Sequence, residues 1–174
     1  PGNNACGNTD PDGLHYLWTT ANSARSTILA NHEVIAFKSC YPASAITSDS
    51  LLNQYKQWYL AMGAVFDQYP DKVFVVMSQP PLRRSRTNTT EADRARNFAN
   101  WLGEEFVVDH ANVVFFDFFD HLAHPDDGSA DRNMLRTAYE RPYDTTDSHP
   151  NDLANQTVGP FFADALADAA GGAR

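Results

Sequence analysis

Three short apolar runs limit the folds that this chain can adopt. They cover residues 34–37, 73–77 and 113–119, and each is continuous, rich in β-branched or aromatic residues, and ended by polar residues or proline. Continuous runs of this length are typical of strands buried on both faces of a parallel sheet, whereas strands with one wet face alternate. The sequence therefore predicts a parallel sheet that contains these three strands.

Amphipathic helical patterns lie between the apolar runs. Residues 51–66 repeat apolar side chains every three or four positions, and a second such pattern follows Thr90, which we predict as part of a capping pair. Further helices are predicted around residues 16–30 and over residues 151–170. This alternation predicts a three-layer α/β/α sandwich with right-handed crossovers, whose ligand binds beyond the carboxyl ends of the strands.

Length and charge narrow the possible functions. The 174 residues contain no internal repeat, linker or change of composition, so residues 1–174 are expected to form a single domain. The net charge of -9 repels nucleic-acid backbones and anionic membranes, so neither is an expected partner.

The two cysteines, Cys6 and Cys40, permit one intramolecular disulfide or two free thiols. Cys40 follows the first apolar run, where the rim of an active site would lie, and Cys6 lies in a segment rich in glycine and asparagine. We predict a disulfide that ties this segment across the rim. Disulfides persist in oxidising compartments, so the prediction favours an extracellular or periplasmic location. Sequons at Asn88 and Asn155 agree with that location.

The motif DSHPN, residues 147–151, precedes the predicted C-terminal helix. Together with strands that end in KSCYPAS and SQPPL, it resembles the later part of an SGNH (GDSL-type) hydrolase over residues 30–170. Such enzymes are esterases or deacetylases that use serine, histidine and aspartate on a flavodoxin-like sheet. The resemblance implies that His149 is the general base and that Asp147 orients it. Acyl transfer needs such a pair because a serine hydroxyl alone is a poor nucleophile near neutral pH.

The acidic partner of His149 departs from the family pattern. The family usually places its aspartate three residues before the histidine, and Thr146 occupies that position here. Asp147 lies two residues before His149, and Asp144 lies five residues before it.

The chain also differs from the family in the motif that binds the oxyanion and in the motif that carries the nucleophile. A glycine and an asparagine are expected after the strand at residues 34–37, and in their absence the main-chain amides of Ser39 and Cys40 are the candidates for stabilising an oxyanion. The block that carries the nucleophilic serine is not found before residue 34. We therefore expect the N-terminal strand to be missing and the serine to come from outside this chain. An alternative places the nucleophile at Ser39 or Ser78.

Two other polar clusters receive structural interpretations. The histidines of DHLAH, residues 120–124, are spaced as metal ligands could be, but no third ligand pattern accompanies them, so neither a metal nor a cofactor is predicted. The arginines of residues 83–86 are interpreted as a solvated turn, with recognition of an anionic substrate as the alternative.

The sequence thus predicts an ester hydrolase that acts on a small-molecule or carbohydrate ester, with an acylated carbohydrate as the expected substrate. The alternative is a non-catalytic structural or binding subunit that retains the hydrolase fold. In the family that the chain resembles, the strand that carries the nucleophile pairs with the strand at residues 34–37. Without that partner, the strand at residues 34–37 would have an unpaired edge, and such edges favour pairing with another strand. We expect an N-terminal fragment of the same gene product, or a neighbouring subunit, to fill it.

Overall fold

Helices and strands alternate along the chain in a computed structural model, which describes residues 9–143 and 146–172. Each strand is followed by a loop and then a helix. The elements are α1 (Pro11–Thr19), α2 (Ser23–Asn31), β1 (Val34–Lys38), α3 (Asp49–Phe66), β2 (Val73–Met77), α4 (Thr89–Glu104), β3 (Val113–Phe116), α5 (Phe118–Leu122) and α6 (Asp152–Gly172).

The three strands form one parallel sheet in the order β1-β2-β3, which confirms the predicted strand set and direction. Val34 lies opposite Val73, and Phe74 lies opposite Val113. The strands are connected by helices, as parallel strands require.

Side chains from the strands pack into two cores, one on each face of the sheet. On one face, Phe74 stacks on Phe66 of α3 with ring centroids 4.1 Å apart, and Trp18 of α1 meets both rings edge-on. On the other face, Val75 and Phe116 pack with residues of α5 and α6. Helices therefore cover both faces, in agreement with a three-layer arrangement.

Asparagine caps set two helix boundaries differently from the prediction. The N-terminal helix is divided, because the side chain of Asn22 accepts a hydrogen bond from the Arg25 N–H at 2.8 Å and starts α2 there. Helix α4 is capped by Asn88, which accepts from the Glu91 N–H at 3.0 Å, and not by Thr90. An asparagine before a helical pattern competes effectively with threonine for the cap position.

The third strand is shorter than predicted. It ends at Phe116, and the side chain of Asp117 accepts a hydrogen bond from the Asp120 N–H at 3.0 Å, which starts α5. The apolar residues after Asp117 therefore belong to a short helix. A carboxylate inside an apolar run ends the strand because it satisfies the free N–H groups of a helix start.

Strand β1 lies at an edge of the sheet. The carbonyl of Glu33 accepts from the Val73 N–H at 2.8 Å, so alternation along the strand directs the backbone groups of Val34, Ala36 and Lys38 away from β2. Ala36 is exposed, and no strand among the described residues pairs with this side of β1. Within residues 9–143 and 146–172, this edge therefore has unpaired hydrogen-bonding groups of the kind that favour association.

Candidate functional site

The carboxyl ends of the strands meet the start of α6 at one edge of the sheet. The segment after β1 forms a short 3-10 turn, Tyr41–Ser44, and the ring of Tyr41 meets the His149 imidazole edge-on with centroids 4.7 Å apart. The DSHPN motif therefore lies against the loop that follows β1, at the edge where α/β folds bind ligands.

His149 and Asp147 form a hydrogen-bonded pair. Imidazole Nδ1 lies 2.6 Å from Asp147 Oδ1, and the backbone N–H of His149 donates to the same oxygen at 2.9 Å. Arg141 Nη1 lies 3.3 Å from the other carboxylate oxygen. The His149 side chain is 53% exposed and that of Asp147 is 17% exposed, so the imidazole faces solvent while its carboxylate is sheltered.

The surroundings of Asp147 favour its ionised form. The pKa of its carboxyl is lowered mainly by the hydrogen bond from the His149 N–H, with smaller contributions from the imidazole and Arg141, against an opposing effect of burial. An ionised carboxylate accepts hydrogen bonds and cannot donate them. Neutral His149 must therefore carry its proton on Nδ1, which leaves the lone pair of Nε2 available as a base.

Of the two aspartates considered as the acidic partner of His149, the structure describes one, Asp147. The pair that the motif predicts, His149 with Asp147, is brought together despite its unusual spacing of two residues. The other candidate acid, Asp144, lies outside the described residues.

Arg83 anchors the segment that carries this pair. The interpretation of residues 83–86 as a solvated turn is wrong for Arg83, which is only 7% exposed. Its guanidinium pairs with Glu140 and donates to the carbonyls of Arg141 and Asp147 at 3.5 and 3.4 Å. Its backbone N–H donates to the hydroxyl of the fully buried Ser148 at 3.2 Å. Sequence reasoning missed this role because its partners are distant in the chain.

Asn151, the last residue of the motif, joins the start of α6 to the preceding segment. Its side-chain oxygen accepts from the Ala154 N–H at 3.1 Å, and its amide donates to the carbonyls of Ala138 and Glu140 at 2.8 and 3.0 Å. One side chain thus caps the helix and fixes the loop in front of it.

The two serines considered as alternative nucleophiles are buried and hydrogen bonded. Ser39 Oγ lies 3.5 Å from the hydroxyl of Tyr59 in α3, and both residues are buried. Ser78 Oγ donates to Asp117 at 2.9 Å and accepts from the Phe119 N–H at 2.7 Å. Neither hydroxyl is presented to a substrate in this arrangement.

In the segment predicted to stabilise an oxyanion, Ser39 and Cys40, the Cys40 amide already takes part in a hydrogen bond. The Cys40 N–H donates to the carbonyl of Thr9 at 3.2 Å, so this amide already has an acceptor. The Cys40 thiol is free and half-buried in the structure. Its predicted disulfide partner, Cys6, lies outside the described residues.

The histidines of residues 120–124 have separate partners. His121 stacks on the rings of Phe116 and Phe161, and His124 Nε2 accepts from the Thr137 N–H at 3.4 Å. Over residues 9–143 and 146–172, no three histidine, cysteine or acidic side chains come together as a metal site would require. Over the same residues, no helix has the length and apolar character needed to cross a bilayer.

Comparison with known proteins gives no match to this chain among family models, curated proteins or solved structures. Its functional interpretation therefore depends on the geometry described above.

We expect Arg83→Met to lower the free energy of unfolding by roughly 3 kcal/mol, the lower end of the range for a buried pair, because it leaves a partly shielded carboxylate without its cation. That carboxylate belongs to Glu140, whose side chain is 16% exposed. Adding Glu140→Gln removes the stranded charge and should recover part of the loss. Urea titration followed by circular dichroism measures each value.

The matched control is Arg86→Met, an exposed arginine of the same turn, for which we expect a change within about 0.5 kcal/mol. Equal losses for Arg83→Met and Arg86→Met would show that the Arg83 guanidinium does not anchor this segment.

Proposed function

We propose that this chain acts as an ester hydrolase of the SGNH (GDSL) type, with His149 as general base and Asp147 as the residue that orients it. The observation that supports this function is the 2.6 Å contact from Nδ1 to the sheltered carboxylate, which leaves Nε2 as the other nitrogen of a half-exposed ring. The pair lies at the carboxyl edge of the sheet, as a ligand-binding site in this kind of fold should.

In the proposed reaction, Nε2 of His149 takes the proton of a serine hydroxyl as its oxygen attacks the ester carbonyl. Asp147 stabilises the imidazolium that forms, and the imidazolium then gives the proton to the departing alcohol. A water molecule repeats the sequence on the acyl-serine and releases the carboxylic acid. The main-chain amides of Ser39 and Cys40 remain the proposed oxyanion donors, which requires Cys40 to exchange its bond with Thr9 for one with the substrate.

The nucleophilic serine of this proposal comes from outside the described residues. The burial of Ser39 and Ser78, with both hydroxyls engaged, supports this part of the proposal. We place the serine on a strand that pairs with the free edge of β1, contributed by a separate fragment or a neighbouring subunit. The outward backbone groups of Ala36 support pairing at that edge. An extracellular or periplasmic acylated carbohydrate remains the proposed class of substrate.

Hydrolysis of p-nitrophenyl acetate tests the catalytic role. With the protein and any chain that copurifies with it, we expect His149→Ala to lower the rate on the order of 100-fold, the usual contribution of a general base. Asp147→Ala should also slow the reaction, because the imidazole loses the acceptor that fixes its tautomer.

His32→Ala is the matched control. His32 is an exposed histidine that precedes β1, at the amino ends of the strands, whereas His149 lies at their carboxyl ends. Its removal should leave the rate unchanged. Equal turnover by His149→Ala and the unaltered protein, or turnover by neither, would favour the alternative of a non-catalytic binding or structural subunit.

Ala36→Pro tests the proposed partner at the edge of β1. The Ala36 N–H points away from β2, so proline there should preserve the β1–β2 ladder while blocking a strand on the free edge. In sedimentation velocity, we expect the unaltered protein and Ala36→Thr to sediment as a complex and Ala36→Pro as a single chain with unchanged helix content. A single chain in all three samples would contradict the partner.

A further inference from the structure

An open apolar cavity of about 350 Å³ lies between the carboxyl ends of the strands and the first turns of α6. Its walls include Met77 of β2, Phe118 of α5, and Val158 and Phe162 of α6. Pro150, which follows His149, also contributes to the wall. The cavity therefore adjoins His149 and Asp147, but other side chains form its walls.

Lys38, the last residue of β1, contributes the one cationic side chain among the residues that line this cavity. Its ammonium lies 5.7 Å from the centroid of the Phe118 ring and 3.5 Å from the carbonyl of Ser39. Within the part of the chain that the structure describes, no salt bridge joins it to a carboxylate. Burial lowers the pKa of Lys38, with a smaller opposing effect from Cys40.

We infer that this cavity is a binding site for a monocarboxylate with an apolar body, whose carboxylate pairs with Lys38 and whose aliphatic chain or aromatic ring fills the apolar space. A partly desolvated ammonium gains most from an anion that approaches closely and accepts a hydrogen bond. The apolar walls favour a ligand whose remaining surface is also apolar.

The same features discriminate against other ligands. A phosphate or a dicarboxylate would bring a second, unpaired charge against Met77, Val158 and Phe162, which is costly in an apolar site. A neutral alcohol of the same length would fill the cavity but leave the Lys38 ammonium without an anion. A short carboxylate such as acetate would pair with Lys38 but bury little apolar surface. The site requires both parts in one molecule.

Isothermal titration calorimetry with octanoate, 1-octanol and acetate tests the site. We expect octanoate to bind at least about tenfold more tightly than either of the others, a difference typical of one charge-assisted hydrogen bond. Lys38→Met, which keeps an unbranched side chain one atom shorter and removes its charge, should abolish the preference for octanoate over 1-octanol. Lys56→Met is the matched control, because Lys56 also lies over an aromatic ring, that of Trp101, but is not part of the cavity.

A second variant removes the space and keeps the charge. Gly159 lines the cavity, and a Cβ atom there would meet nothing within 4 Å apart from its chain neighbours and the backbone of its own helix. We therefore expect Gly159→Leu to be accommodated without strain, to take up part of the cavity and to weaken octanoate binding. This result keeps the test decisive if Lys38→Met does not fold. Octanoate binding that is no tighter than that of 1-octanol, or unchanged in Gly159→Leu, would overturn the assignment.

The site does not depend on the proposed hydrolysis. His149→Ala should bind octanoate as the unaltered protein does, because His149 is not among the residues that line the cavity. Loss of esterase activity in that variant with retained octanoate binding would support both proposals separately. Loss of octanoate binding in His149→Ala would contradict the cavity assignment and leave the catalytic test unaffected.

Discussion

The candidate site depends on the buried guanidinium of Arg83. A charged group in the interior is tolerated only when it is paired and hydrogen bonded. Arg83 meets this requirement through Glu140 and through the carbonyls of Arg141 and Asp147, all of which belong to the segment that leads into α6. The buried cation that follows β2 in the chain therefore helps to hold Asp147 in place, and Asp147 in turn forms a hydrogen bond with His149.

The start of α6 joins two chemically different features. On one side of Pro150, the half-exposed imidazole of His149 meets the ring of Tyr41. On the other side, the first turns of α6 and Lys38 line an open apolar cavity. Asn151 holds the helix start that both features share. A half-exposed imidazole beside an apolar cavity that a lysine lines is the arrangement from which both proposals are argued.

Burial on both faces of the sheet made the strands predictable, because residues 73–77 are all apolar and need no alternation. The end of β3 was not predicted correctly, since apolarity alone does not reveal that Asp117 caps a helix. The His149–Asp147 pair was predictable because both residues lie in one short motif. Arg83 was not, because its partner Glu140 lies 57 positions away and nothing local distinguishes Arg83 from its arginine neighbours.

The tautomer of His149 tests the central claim most directly. If the Asp147 carboxylate accepts from Nδ1, as the 2.6 Å contact indicates, the neutral imidazole carries its proton on Nδ1 and is basic at Nε2. Long-range ¹H–¹⁵N correlation NMR at a pH where His149 is neutral distinguishes the two nitrogens. We predict a protonated Nδ1 in the unaltered protein and a protonated Nε2 in Asp147→Ala, which removes the acceptor. A protonated Nε2 in the unaltered protein would contradict the proposed base.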